Sequence, residues 1–251
     1  MSSSIFDLSG RRALITGSSQ NIGFALARGL AEAGAEVIIN GRDEKKVVSA
    51  VETLRAANLK VTGSAFDVTD EAAVSNAISA MGRLDILVNN TGGHRRGPLV
   101  DMPLADWEAV IKTNLTSAFL TARAVAPAMI ARKAGKIINV CSLMSDLARP
   151  TTGNYAAAKG GLRMLTRAMC SEWAKHNVQI NGIAPGYILT ELTKSLVADE
   201  KFDTWIRGRT PAGRWGNPSD LVGACVFLAA PASDFMNGQL LVIDGGLSVV
   251  I

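Results

Sequence analysis

The sequence predicts a doubly wound α/β fold, a single domain on a seven-stranded parallel sheet flanked by helices. Three observations carry that expectation. Seven apolar runs of about four to six residues occur without strict polar alternation, as strands buried on both faces require. Longer stretches with apolar residues at helical spacing separate them, which implies parallel strands joined by right-handed crossovers. No Pro/Gly/Ser linker, charge block or internal repeat divides the 251 residues, so 1–251 reads as one domain.

Ala13-Leu14-Ile15-Thr16 is the first strand, and Ile22, Ala25, Leu26, Leu30 and Ala33 mark the helix after it. Glu36 to Ile39 is the second strand, followed by a helical pattern at Val47, Val48, Val51 and Leu54. Val61–Phe66, Asp85–Val88, Lys136–Val140, Gln179–Ile183 and Gln239–Ile243 supply the other five. Between the last two, Leu189 to Arg214 breaks the rhythm with a helical pattern at Leu192, Leu196, Phe202, Trp205 and Ile206. A long excursion at the carboxyl end of a parallel strand lies over the ligand crevice, so 189–214 is expected to form a substrate lid.

Composition narrows the function classes. Lys+Arg 26 against Asp+Glu 22 gives a net charge of +4, and no basic block interleaves with aromatic residues, which argues against nucleic-acid binding. Cys141, Cys170 and Cys225 have no CxxC spacing, so neither a disulfide framework nor a metal site is expected, and a reducing compartment fits. Met1 to Leu8 lacks a signal-peptide pattern, and no run of ~18 apolar residues suggests a membrane span. The expected setting is cytoplasmic.

Thr16-Gly17-Ser18-Ser19-Gln20-Asn21-Ile22-Gly23 joins the first strand to the first helix. Backbone N–H groups and a helix N-terminus there can face a pyrophosphate. The second strand runs into Asn40-Gly41-Arg42-Asp43 without a carboxylate at its end. Arg42 offers a guanidinium fork for a ribose 2′-phosphate, which predicts NADP(H) in preference to NAD(H), while Asp43 suits a helix N-cap. Tyr155 and Lys159 stand at i and i+4 on one helical face, with Ser142 thirteen positions before Tyr155, just past the fifth strand. A tyrosine beside a lysine can serve as acid or base for alcohol–ketone chemistry once nearby positive charge stabilises the phenolate.

These motifs together resemble the short-chain dehydrogenase/reductase family, which implies a Rossmann-type fold and hydride transfer to or from a nicotinamide dinucleotide. The resemblance implies a catalytic set of Asn114, Ser142, Tyr155 and Lys159, with Asn114 positioning a water that links Lys159 to solvent. It places the cofactor against Gly17, Ser19, Asn21, Ile22, Gly23 and Arg42, then Asp67 and Val68 at the adenine. Asn89 and Gly92 follow from the Asn-Asn-Thr-Gly turn, with Thr91 in place of Ala. Tyr155, Lys159, Pro185, Gly186, Ile188 and Thr190 complete the nicotinamide side, Ile188 through its backbone. The dinucleotide-binding part is expected over about 10–140. Asn21 replaces the family's middle glycine; Asn tolerates positive φ, so the turn should survive with altered cofactor affinity. The stretch from Asp70 to Leu84 is about one helical turn short for the family.

Segments at His94-Arg95-Arg96, Leu147 to Pro150 and Arg209 to Gly216 resemble the family's sugar-acid dehydrogenases. That implies a sugar-acid substrate, D-gluconate and 5-keto-D-gluconate, and a homotetramer packed in part through the apolar carboxyl end, Leu247 to Ile251. Arg95, Arg96 and Arg149 fall on loops at the carboxyl ends of strands and are candidates for the substrate carboxylate, beside Ser142 and Tyr155. The rival readings are a 3-oxoacyl-carrier-protein reductase, which would need a basic outer surface and an open acyl channel, and a dinucleotide-binding sensor without turnover.

Overall fold

The computed structural model describes residues 5–250, so Met1–Ser4 of the amino-terminal stretch and Ile251 of the apolar carboxyl end lie outside the described residues. Seven strands form one all-parallel sheet: β1 (Arg12–Ile15), β2 (Glu36–Gly41), β3 (Val61–Ala65), β4 (Ile86–Asn89), β5 (Gly135–Val140), β6 (Val178–Pro185) and β7 (Leu240–Ile243). Their order is β3-β2-β1-β4-β5-β6-β7. The direction of winding reverses between β1 and β4, and in such sheets the ligand crevice opens there, beyond the strands' carboxyl ends.

Strand residues alternate between two apolar layers. Ile15, Val37, Val88 and Ile138 pack against α1 (Asn21–Glu32), α2 (Glu44–Ala56) and α9 (Val222–Ala229) on one face. Leu14, Ile38, Leu87 and Ile137 face α3 (Glu71–Met81), α5 (Ser117–Ala131) and α6 (Gly153–Trp173) on the other. Continuous burial of β4, β5 and β6 explains their unbroken apolar runs. The edge strands differ: β3 alternates, and β7 is nowhere fully buried. Each edge lacks a neighbour on one side, so fewer of its positions need apolar side chains.

Local chemistry sets the element ends. Asp43 caps α2 by accepting from the Lys46 N–H at 3.2 Å, the role expected of it. Asp70 caps α3 in the same way through Ala73. Between β4 and β5, α4 (Leu104–Ile111) runs into α5 through a single π-helical turn at Lys112–Thr116. The excursion after β6 holds α7 (Lys194–Val197) and α8 (Glu200–Arg209). Among the described residues no helix is long and apolar enough to cross a membrane.

Candidate active site

A cleft of about 950 Å³ runs along the carboxyl ends of the strands, from the turn after β1 to the excursion after β6. One end is built by the glycine-rich turn. Gly17 has φ +59° and Asn21 φ +53°, so the middle position takes the left-handed conformation that Asn tolerates. At Gly23 a Cβ would meet the Gly17 carbonyl at 2.4 Å, which leaves hydrogen as the only fit.

Asparagines hold the turn rigid. Asn40 accepts from the Gly17 N–H at 3.2 Å and donates to the Ser64 and Phe66 carbonyls. Asn90 donates to the Thr16 and Gly17 carbonyls, both at 2.9 Å. On the far side, the Asn21 side chain accepts from the Glu191 N–H at 3.3 Å, joining the turn to the excursion.

Arg42 is 80 % exposed at the cleft edge, with its guanidinium 3.9 Å from Asp67. Burial works against ionisation of Asp67. The Thr69 N–H and hydroxyl, each at 2.8 Å, and then Arg42 outweigh it and hold the carboxyl below its ordinary value. Ser19, Ile22, Gly23 and Val68 line the same end. The cradle at Gly17 and Gly23, the N-terminus of α1 and the buried Thr91 hydroxyl, which lacks a protein partner, all suit a dinucleotide pyrophosphate.

The catalytic candidates meet at the middle of the cleft. Tyr155 and Lys159 project from the first two turns of α6, with the Lys159 Nζ 5.7 Å from the Tyr155 ring centre. Lys159 is buried and donates to the Val140 carbonyl at 2.7 Å; burial pushes its ammonium down to about 8. Burial pushes the Tyr155 hydroxyl up to about 12, against a hydrogen bond with Ser142. Ser142 also accepts from the Met144 N–H at 3.1 Å, which fixes its side chain at the end of β5. Burial likewise pushes Cys141 up to about 11, so it stays a thiol beside this pair.

Asn114 does not line the cleft. It sits in the π-helical turn, where its amide donates to Gly93 and Val110 carbonyls at 2.8 and 2.9 Å and its oxygen accepts from the Gly93 N–H. It thereby holds the backbone next to Gly92, where an added Cβ would approach both Asn114 Oδ1 and Lys159 Nζ.

Two further candidates fall outside the cleft. Asn89, the last residue of β4, is buried and bonded to Asn139 at 2.9 Å and to Thr121, so Asn90, one residue on, faces the cleft instead. Arg95 turns away and pairs with Asp106 at 2.5 Å. Arg96 and Arg149 do line the cleft. Arg149 lies over the Phe202 ring at 4.9 Å and the Tyr187 ring at 6.0 Å, so the lid fixes its guanidinium by cation–π contact.

Pro185, Gly186, Ile188 and Thr190 line the other wall. Gly186 admits Asp244, which a Cβ would meet at 2.7 Å. The Ile188 carbonyl accepts from Thr193, whose hydroxyl also accepts from the Thr190 N–H. Asn40, Asn90, His94 and Asn154 join the site beyond the candidates of the sequence, although the first three stand inside its motifs. Asn154 is wholly buried, donates to the Arg95 carbonyl at 2.9 Å and so ties the loop after β4 to α6.

A family model described as enoyl-(acyl carrier protein) reductase matches residues 17–248. The chain is 50% identical to a gluconate 5-dehydrogenase of Gluconobacter oxydans over 249 residues, covering 98% of this chain and 97% of the relative. It is 49% identical to a 5-keto-D-gluconate 5-reductase of Escherichia coli over 251 residues, covering 98% and 99%. A crystal structure of a gluconate 5-dehydrogenase from Burkholderia cenocepacia in complex with NADP and tartrate superposes with TM-score 0.96 at 52% identity, covering 98% of each chain. The chain therefore belongs to the short-chain dehydrogenase/reductase family, NAD(P)-dependent oxidoreductases that act on CH–OH groups.

Proposed function

We propose that this enzyme interconverts a secondary alcohol and a ketone on a sugar acid, D-gluconate and 5-keto-D-gluconate, with NADP(H) preferred over NAD(H). The observation that carries the reading is one cleft in which the Ser142–Tyr155 pair shares space with the guanidinium groups of Arg96 and Arg149. A sugar acid brings a carboxylate and hydroxyls, and a cationic wall beside an acid/base tyrosine matches that combination. The names of the relatives support the same substrate class. An acyl-carrier-protein reductase would need an open acyl channel, whereas this cleft is walled by the Arg149–Phe202–Tyr187 stack.

Arg42 supports the cofactor preference: it is the cation at the end of β2, where a ribose 2′-phosphate would lie, and a relative is described with NADP. Ser19, Asn21, Ile22, Gly23, Asp67, Val68 and Gly92 would hold the dinucleotide, with Pro185, Gly186, Ile188 and Thr190 at its nicotinamide end. When bound, the dinucleotide supplies the carbon that takes or gives the hydride.

In the reducing direction Tyr155 donates its hydroxyl proton to the carbonyl oxygen, and Ser142 hydrogen-bonds that oxygen as charge develops on it. The half-buried, protonated tyrosine is the form this direction needs. In the oxidising direction Tyr155 takes the alcohol proton, and the ammonium of Lys159 favours its phenolate. Asn114 positions rather than reacts, by fixing the Gly93 backbone beside Lys159. Exposed Phe235, Val242 and Val249 support assembly into a homo-oligomer, the tetramer the family resemblance implies.

The test is an absorbance screen at 340 nm of sugar acids, polyols and 3-oxoacyl thioesters with both cofactors. Gluconate or 5-keto-D-gluconate is expected to give the highest kcat/KM, with NADP(H). Tyr155→Phe is expected to lose more than nine-tenths of kcat while still binding NADPH in a fluorescence titration. Preferred turnover of the thioesters, or a Tyr155→Phe variant retaining over a tenth of kcat, would sink the assignment.

A further inference from the structure

We propose that His94 is a specificity-determining residue, whose imidazole binds a substrate hydroxyl next to the reacting carbon. The inference deepens the sugar-acid reading and rests on it for the presence of such a hydroxyl.

His94 lines the cleft two residues past Gly92, and its ring meets Tyr155 edge-on, with centroids 6.4 Å apart and planes at 84°. That contact sets the imidazole beside the group that handles the reacting oxygen. Its Nε2 is buried and makes no well-formed hydrogen bond among the described residues, although the Leu192 backbone lies beside the ring. Buried polar groups are rarely left so, and a polar ligand atom entering the cleft that this ring lines would complete it.

The ring is also held in place from both sides. Asn114 grips Gly93 through both its N–H and its carbonyl, and Asn154 holds the Arg95 carbonyl at 2.9 Å. The residues before and after His94 are thus tied to the helices that carry the catalytic set. Such two-sided support is what a recognition group needs and what a solvated loop lacks.

Burial and the guanidinium of Arg96, then that of Arg149, hold the ring's pKa below its ordinary value, although its own backbone and that of Leu192 pull the other way. A neutral imidazole in the field of two guanidinium groups divides the labour of recognition. The arginines take the carboxylate. A hydroxyl, which can both donate and accept, satisfies Nε2 in either tautomer, whereas a carbonyl or carboxylate oxygen only accepts.

The test compares the full-length enzyme with His94→Leu and His94→Gln on paired substrates: gluconate against analogues deoxygenated next to the reacting carbon, and an uncharged polyol against its deoxy counterpart. Wild type is expected to prefer the hydroxylated member of each turned-over pair about 10–100-fold. His94→Leu should lose that preference by lowering kcat/KM on the hydroxylated member alone, His94→Gln should restore most of it, and NADPH affinity should not move. Equal losses on both members by a His94→Leu variant whose NADPH affinity is unchanged would overturn the inference, and so would the absence of any wild-type preference, which needs no variant. Turnover of uncharged polyols alone, with the same His94 dependence, would overturn the sugar-acid reading and leave this inference standing. Turnover confined to substrates without a neighbouring hydroxyl, or no turnover of any hydroxylated compound, would overturn it.

Discussion

With its side chain 3 % exposed, Lys159 keeps an ammonium largely out of solvent, and the fold meets part of that cost with one bond to the Val140 carbonyl. Burial lowers its pKa from 10.5 to about 8. Below pH 8 both folded and unfolded chains hold the proton and the penalty is fully present, at about 3 kcal/mol as an upper bound. Between 8 and 10.5 the unfolded chain holds more protons, so stability rises with pH and the penalty fades. Lys159→Met is therefore expected to abolish turnover yet raise the melting temperature at pH 7, and the gain should shrink by pH 10. Thermal melts across that range check it; a variant less stable than wild type at pH 7 would contradict the burial argument. The same positive charge is expected to be half lost near pH 8, which should weaken its support of the Tyr155 phenolate above that pH.

At the scale of elements, the sequence exposed regular structure well and irregular structure poorly. All seven strands lie within two residues of where the apolar runs put them; for the central strands this is because parallel strands buried on both faces have no other composition to adopt. Tyr155 and Lys159 were legible because helical period alone places i and i+4 together. Asn89 and Arg95 misled for the complementary reason. A strand ends on one face or the other by a single residue, and at the end of β4 that register turns Asn89 inward and leaves the cleft to Asn90. The direction of Arg95 depends on Asp106, eleven residues away, which no local pattern announces. The π-helical turn at Lys112–Thr116 has no sequence signature either, yet it carries Asn114.

The lid is an element with its own core. Tyr187, Phe202, Trp205 and Trp215 pack edge to face or tilted within 5.5–6.3 Å, and the Trp215 indole donates to Asp203 at 2.7 Å. Phe202 also supports Arg149. Phe202→Ala is expected to raise KM for the acidic substrate about tenfold while leaving NADPH affinity within twofold, a split that steady-state kinetics and titration together resolve. A fall in kcat alone would mean that the aromatic cluster serves the chemistry rather than the carboxylate.

On the scale of the whole molecule, the cleft collects residues from both halves of the sheet, so a dinucleotide bound there should stabilise the folded chain as a unit. At 100 times its Kd a ligand adds about 2.7 kcal/mol, which for a chain near 250 residues corresponds to about 5–10 °C. NADPH is expected to raise the melting temperature by that amount, and by more than NADH at equal concentration. Arg42→Ala should reduce the NADPH shift to that of NADH and leave the ligand-free protein within about a degree of wild type, since the side chain is largely exposed. Equal shifts for the two dinucleotides in the wild-type protein would remove the 2′-phosphate role.

The bond from Asn21 to the Glu191 backbone has a consequence for how the site comes into being. A chain leaving the ribosome as far as β4 already has the means to shape its phosphate turn, since Asn40 and Asn90 are both made. Its outer wall must wait for about another hundred residues, until Glu191 arrives to meet Asn21. The nucleotide cradle is thus begun by the first third of the polypeptide and finished by the last, and no amino-terminal fragment ending before the lid can hold the complete version.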